Sequence, residues 1–119
     1  KLRGATVIGI TNMSYSEKVT SRHPSGKKIY ELCDIVIDNH GEIGDACISL
    51  ENAPKKVAPT STVIGATILN SIFSEAAKLI SEATNGEMIP IFASANMDHG
   101  DEFNKKLFDK YKKVIHYKY

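Results

Sequence analysis

Apolar and polar positions fall into blocks that switch between the two-residue period of strands and the 3.6-residue period of helices. "ATVIGIT", residues 5–11, is a continuous apolar run rich in β-branched residues. It predicts a strand buried on both faces of a parallel sheet. The polar, hydroxyl-rich "NMSYSEKVTSRHPSG" follows, with Pro24 and Gly26 as breakers, and predicts a long loop or broken turn. Ile29, Leu32 and Cys33 stand at helical spacing, and "DIVIDN" predicts a second buried strand. Alternation around Ala46, Ile48 and Leu50 suits a short edge strand or hairpin.

The longest block opens at "VAPTST" and predicts a helix from about Thr60 or Ser61 to Ala83. Val63, Ile64, Ile68, Leu69, Ile72 and Phe73 leave its first half almost without a polar face. Such a helix must be covered on more than one side, by a central position or a subunit interface. "NGEMIPIFASAN" predicts a loop and a third strand, Ile89 to Ser94. A last helix, Asp101 to about Lys113, carries Phe103, Leu107, Phe108, Tyr111 and Val114 on one stripe, with Asp98 or Asp101 as its cap. Strands alternating with helices imply an α/β fold with a parallel, doubly wound sheet. Lys1, Leu2 and Arg3 before Gly4 read as the last turn of a helix with its C-cap glycine. Residues 1–119 are therefore expected to form the C-terminal part of a single domain, truncated at its N-terminal side.

Composition narrows the function. With 42% hydrophobic and 24% charged residues the chain is ordinary for a soluble globular domain, and a net charge of +1 argues against a dedicated nucleic-acid binder. The lysines at 105, 106, 110, 112 and 113 interleave with Asp101, Glu102 and Asp109, as on a solvated helix face. Cys33 and Cys47 lack metal or redox spacing and read as buried free thiols of a reducing cytoplasm. No signal peptide is evident, and no apolar run is expected to approach the roughly 18 to 20 residues of a membrane span.

In open α/β sheets, ligands sit beyond the carboxyl ends of the strands. Three polar segments fall there: Thr11, Asn12 and Ser14; Asn39, His40, Gly41 and Glu42; and Thr60, Ser61 and Thr62 at the head of the long helix. A helix N-terminus carries unpaired N–H groups and about half a positive charge. A capping box would put an acid three residues after the cap, but Val63 and Ile64 stand there. Two readings remain for this helix start: a plain hydroxyl cap, or a seat for an external anion or polar ligand. His23 is a candidate proton shuttle or phosphate contact, or an exposed loop imidazole. His40 and Glu42 are a candidate acid/base pair, or parts of a turn pivoting on Gly41 and Gly44. "MDHGDE" lacks metal spacing, and no dinucleotide, P-loop, nucleophile-elbow or zinc signature occurs. No metal and no cofactor are expected.

"VIGITN", "LCDIVIDN", "GEIGDA" and "APTSTVIGATILN" together resemble the sugar isomerase (SIS) domain, in particular the bacterial SIS-domain proteins of phosphosugar-isomerase type. The likeness covers residues 4–119. "APTST" is similar to the helix starts in the isomerase half of glucosamine-6-phosphate synthase and in the N-acetylmuramic acid 6-phosphate etherases. The resemblance implies a three-layer α/β/α, flavodoxin-like fold around a parallel sheet. It also implies a homodimer, here through the 62–83 helix, and a sugar phosphate bound at Thr60, Ser61 and Thr62, with Thr11 and Asn12 as further contacts. That family's serine-rich phosphate cradle does not occur in these 119 residues, and the resemblance places it upstream. The expected function is phosphosugar binding within an isomerase that works through an enediolate. The alternatives are a non-catalytic phosphosugar sensor and a structural dimerisation module. Neither nucleic acid nor a membrane is expected as a partner.

Overall fold

A computed structural model describes residues 3–86 and 89–113. The chain divides into two compact units, Lys1–Ser74 and Glu75–Tyr119. It is mixed α/β, with two small sheets and three α-helices: β1 (Ile8–Thr11), α1 (Met13–Lys18), a 3₁₀ turn (Ile29–Leu32), β2 (Ile35–Asp38), β3 (Ala46–Ile48), β4 (Val57–Pro59), α2 (Ser61–Thr84) and α3 (Gly100–Tyr111).

In the first unit β1 and β2 pair in parallel with Ile8 opposite Ile35 and Thr11 opposite Asp38. Both therefore end at the same edge. The expected strand at residues 5–11 is real but shorter. The β3–β4 pair is antiparallel, with Ala46 opposite Pro59. Strand β3 lies in the expected alternation, whereas β4 falls in "VAP", which was expected only to lead into the long helix. The expected loop after β1 instead starts with a helical turn and a half. Asn12 caps it by accepting from the backbone N–H of Tyr15 at 2.9 Å. Residues 29–33, expected at helical spacing, make only a single 3₁₀ turn.

Burial corrects a second expectation. Parallel strands are normally covered on both faces, yet Ile8 is 54% and Ile35 49% exposed. Among the described residues no hydrophobic side chain is buried. Gly9 is buried because β1 passes over the 3₁₀ turn, where a Cβ at Gly9 would meet Cys33 Sγ. Cys33 is only half-buried and Cys47 is exposed, so neither is the buried thiol expected.

Helix α2 begins and ends within a residue of its expected bounds. By length and composition it is also long and apolar enough to cross a membrane, at a mean hydropathy of 1.4 over its most apolar window. This corrects the expectation that no apolar run approaches that length: Asn70, Ser71 and Ser74 interrupt the apolar residues without ending the helix. Glu75 and Lys78, 3.4 Å apart, pair along its second half.

In the second unit Ile89 to Ser94 is not a strand, contrary to expectation. Its ladder partner is a side chain. The Asn104 amide accepts from the Ala93 N–H at 2.8 Å and donates to the Ala93 carbonyl at 2.9 Å, satisfying one residue as a neighbouring strand would. Phe92 and Phe108 stack at 4.9 Å between centroids and hold the segment against α3. The cap of α3 is also corrected: His99, at φ 63°, occupies the position expected for Asp98 or Asp101, without a side-chain cap. Lys1, Leu2 and Val114, which entered the expected elements, lie outside the described residues.

Candidate functional site

The parallel register brings Thr11 and Asp38 to one edge, and the loops leaving there meet the start of α2. Gly41 marks the junction: a Cβ there would stand 3.0 Å from Asn12 Nδ2, 3.3 Å from Asn39 Oδ1 and 3.6 Å from Thr60 Oγ1. A side chain there would crowd Asn12 and Asn39, so the three segments meet most easily around glycine. Asn12 Nδ2 donates to the Glu42 carbonyl at 3.2 Å, and Asn39 N–H donates to the Thr11 carbonyl at 2.9 Å.

Between them lies a cavity of about 350 Å³ lined by Ile10, Thr11, Asn12, Tyr15, Ser16, Asn39, Glu42, Asp45 and Ser61. It unites four of the expected residues: Thr11, Asn12, Glu42 and Ser61. Thr60 stands behind it through Gly41, while Thr62 is exposed and is not part of the wall.

The donors at the head of α2 already have a partner. Asp45 reaches the helix start from fifteen residues upstream. Its Oδ1 accepts from Thr60 N–H at 3.0 Å and Ser61 N–H at 2.7 Å, and its Oδ2 accepts from the Ser61 hydroxyl at 2.7 Å. The Thr60 hydroxyl donates to Asp45 as well. Hydrogen bonding from the Ser61 hydroxyl outweighs desolvation and, with the backbone N–H groups, holds the Asp45 carboxyl below its ordinary value. The field that neighbouring residues leave uncancelled is thus filled by an internal carboxylate, which corrects the reading of a vacant anion seat. Asp45 adopts φ 72°, a left-handed conformation that Asp tolerates better than most residues.

His40 and Glu42 do not form the expected pair. His40 Nδ1 lies 3.3 Å from Asp38 Oδ2, with the ring 87% exposed, and Glu42 pairs with Lys56 at 3.1 Å. Asp38 also accepts the backbone N–H groups of His40 and Met13, which hold its carboxyl below the ordinary value and tie β2 to the start of α1. His23 stands apart from the strand-end cavity, its Nδ1 2.8 Å from Ser25 Oγ. Asp45 and Ser16 line the cavity without having been expected there. Asn39 was visible as a strand-end polar residue, whereas Asp45 gave no local signal.

No family model matches the chain. It is 48% identical over 117 residues to a UPF0309 protein of Shouchella clausii, and 51% identical over 117 residues to one of Oceanobacillus iheyensis. A UPF0309 protein of Listeria innocua is 46% identical over 114 residues. These alignments take in 98%, 98% and 95% of this chain but 47%, 47% and 45% of the relatives. The chain thus spans about half the length of the curated relatives it matches. The expected SIS resemblance is overturned, because neither a family model nor the name of any of these relatives indicates such a domain. A buried strand, a polar loop and a hydroxyl-headed helix are general α/β features, and the cradle that would have made the likeness specific is missing from the 119 residues.

Proposed function

We propose that the strand-end cavity binds the hydroxyl-bearing part of a sugar phosphate. One observation carries the reading: amide, hydroxyl and carboxylate groups of Asn12, Asn39, Thr11, Ser16, Glu42 and Asp45 converge on a concave site at the ends of parallel strands. Side-chain amides and carboxylates hold polyols by pairing donors with acceptors, and a site of this volume encloses one sugar ring or open chain. In this reading β1 and β2 belong to a wider parallel sheet layered by helices in a three-layer, flavodoxin-like domain. The ligand is a metabolite of the cell interior, so the domain is cytoplasmic, and no nucleic acid or membrane enters the reading.

If the bound sugar is isomerised, Glu42 is the base. It takes a proton from the carbon beside the carbonyl to give an enediolate; the hydroxyl proton on that carbon passes to the former carbonyl oxygen, and Glu42 returns its proton to the former carbonyl carbon. The step conserves atoms and electrons and needs no cofactor.

The test is thermal stability against hexose, heptose and amino-sugar 6-phosphates, repeated with Asn39→Ala/Glu42→Ala. One sugar phosphate should raise the Tm, by an increment that grows with concentration, and the variant should lose that increment. No shift with any sugar phosphate sinks the proposal.

A second reading, a homodimer through α2, is favoured by the apolar surface that helix leaves uncovered, with Val63 68% and Phe73 64% exposed. Ile72→Asp should convert a dimer to monomer or insoluble protein in light scattering. An unchanged soluble dimer removes that reading.

A further inference from the structure

A second cavity of about 410 Å³ shares two of its walls, Thr11 and Ser16, with the strand-end cavity. The rest of its wall comes from the loop after α1, including Ser21, Arg22, His23, Lys27 and Lys28. The charges of the two cavities are opposite. The strand-end cavity has two carboxylates and no cation in its wall; Asp45 caps α2, and Glu42 is paired with Lys56 at 3.1 Å just outside the wall. The second has Arg22, Lys27, Lys28 and the His23 imidazole, and no carboxylate. In a chain of 15 basic and 14 acidic residues, this is a separation of charge over two adjoining spaces.

The basic loop is held in shape by its own backbone and hydroxyls. Ser21 Oγ donates to the Lys27 carbonyl at 2.8 Å and accepts the His23 N–H at 3.2 Å, closing the loop at its neck. Lys28 Nζ donates to the Glu17 carbonyl at 2.8 Å and ties the loop to the end of α1. Among the described residues no carboxylate stands within ion-pair distance of Arg22, Lys27 or Lys28, whereas the head of α2 is closed to anions by Asp45.

We propose that the phosphate of the ligand is bound in this basic cavity by Arg22 and Lys27, beside the wall shared with the strand-end cavity, where the Thr11 and Ser16 hydroxyls lie 2.8 Å apart. The inference rests on the sugar-phosphate reading and moves the anion away from the head of α2. Arg supplies a planar fork of donors for phosphate oxygens and Lys a point charge. The partly exposed setting makes their attraction dependent on ionic strength.

The test is calorimetric titration of the full chain with the 6-phosphate panel, the matching free sugars and inorganic phosphate. It uses the wild type, Arg22→Ala/Lys27→Ala and Glu42→Ala. Neither Arg22 nor Lys27 contributes its side chain to the loop's closing bonds, and circular dichroism verifies that the double variant keeps its fold. The expected result is that Arg22→Ala/Lys27→Ala lowers sugar-phosphate affinity at least tenfold, abolishes phosphate binding and leaves free-sugar binding unchanged. Glu42→Ala is expected to weaken the sugar and sugar phosphate but not inorganic phosphate. Sugar-phosphate binding indifferent to Arg22→Ala/Lys27→Ala overturns the basic site and leaves the sugar-phosphate reading standing. Inorganic phosphate that binds through Arg22 and Lys27, with no sugar phosphate bound, keeps the basic site and overturns the sugar. Binding of neither overturns both.

Discussion

Helices α2 and α3 solve the same electrostatic problem in different ways. Each begins with N–H groups that lack intrahelical acceptors and with the positive end of a dipole. Helix α3 carries its own counter-charge, with Asp101 and Glu102 in its first turn and no side-chain cap. Helix α2 has no acid in its first turn and takes Asp45 from the loop before β3. A local anion is within sequence reach whatever the tertiary structure. An imported one ties the helix to the β3–β4 hairpin, so helix start, hairpin and cavity wall stand or fall together. Asp45 is both a cap and part of the cavity, and this links the stability of α2 to the shape of the candidate site.

The largest effect should come from removing that link. Asp45→Ala deletes the hydrogen bonds accepted at the head of α2 and forces Ala to hold φ 72°. Cap loss and left-handed strain add, and the Tm should fall by more than about 5 °C. Asp45→Asn keeps one acceptor and tolerates the same backbone, so its loss should be about half as large. A Tm of Asp45→Ala within about 1 °C of wild type would mean that the head of α2 does not depend on Asp45. Asp45→Ala also reopens the seat, so inorganic phosphate should stabilise it more than it stabilises Asp45→Asn.

A smaller effect is expected from acid. The Asp45 and Asp38 carboxyls are held below their ordinary value of 3.8. Groups whose folded pKa is depressed contribute stability that is present above the unfolded value and lost as pH falls through the folded one. The urea midpoint should therefore hold from pH 7 to about pH 4.5 and fall below about pH 4. Asp45→Asn should flatten part of that fall and leave the part due to Asp38. A fall of equal depth in wild type and Asp45→Asn would assign it to other carboxylates.

What the sequence disclosed follows the same division between local and imported partners. Helix α2, β2 and β3 were legible because periodicity and alternation are properties of neighbours along the chain. The strand-end position of Thr11, Asn12 and Glu42 was legible because it follows from parallel strands. Asp45 was not, since its partner lies fifteen or sixteen residues away and its own surroundings, Gly44 and Ala46, carry no cap signal. The strand expected at Ile89 to Ser94 failed for a related reason: its composition suits a strand, but the backbone of Ala93 is satisfied by the Asn104 side chain. His40 and Glu42 are close in sequence, and each is drawn to another partner, Asp38 and Lys56.

The smallest effect belongs to the helix that supplies its own charge. Asp101 and Glu102 are exposed, and neither closes a side-chain cap on α3. Glu102 lies 3.3 Å from His99 Nδ1, in a pair whose side chains are 82% and 75% exposed. Exposed pairs and surface charges in a dipole field each contribute only a few tenths of a kcal/mol to about 1 kcal/mol. Asp101→Ala should therefore move the Tm by no more than about 2 °C, because Glu102 remains to face the same N–H groups. Salt at about 0.5 M should remove most of that difference, since the Debye length then shrinks to roughly 4 Å. Asp45→Ala should keep most of its deficit under the same salt, because hydrogen bonds and backbone strain are not screened. Equal salt sensitivity at the two sites would show that the Asp45 contact acts only through its charge, and the contrast between imported and local caps would collapse.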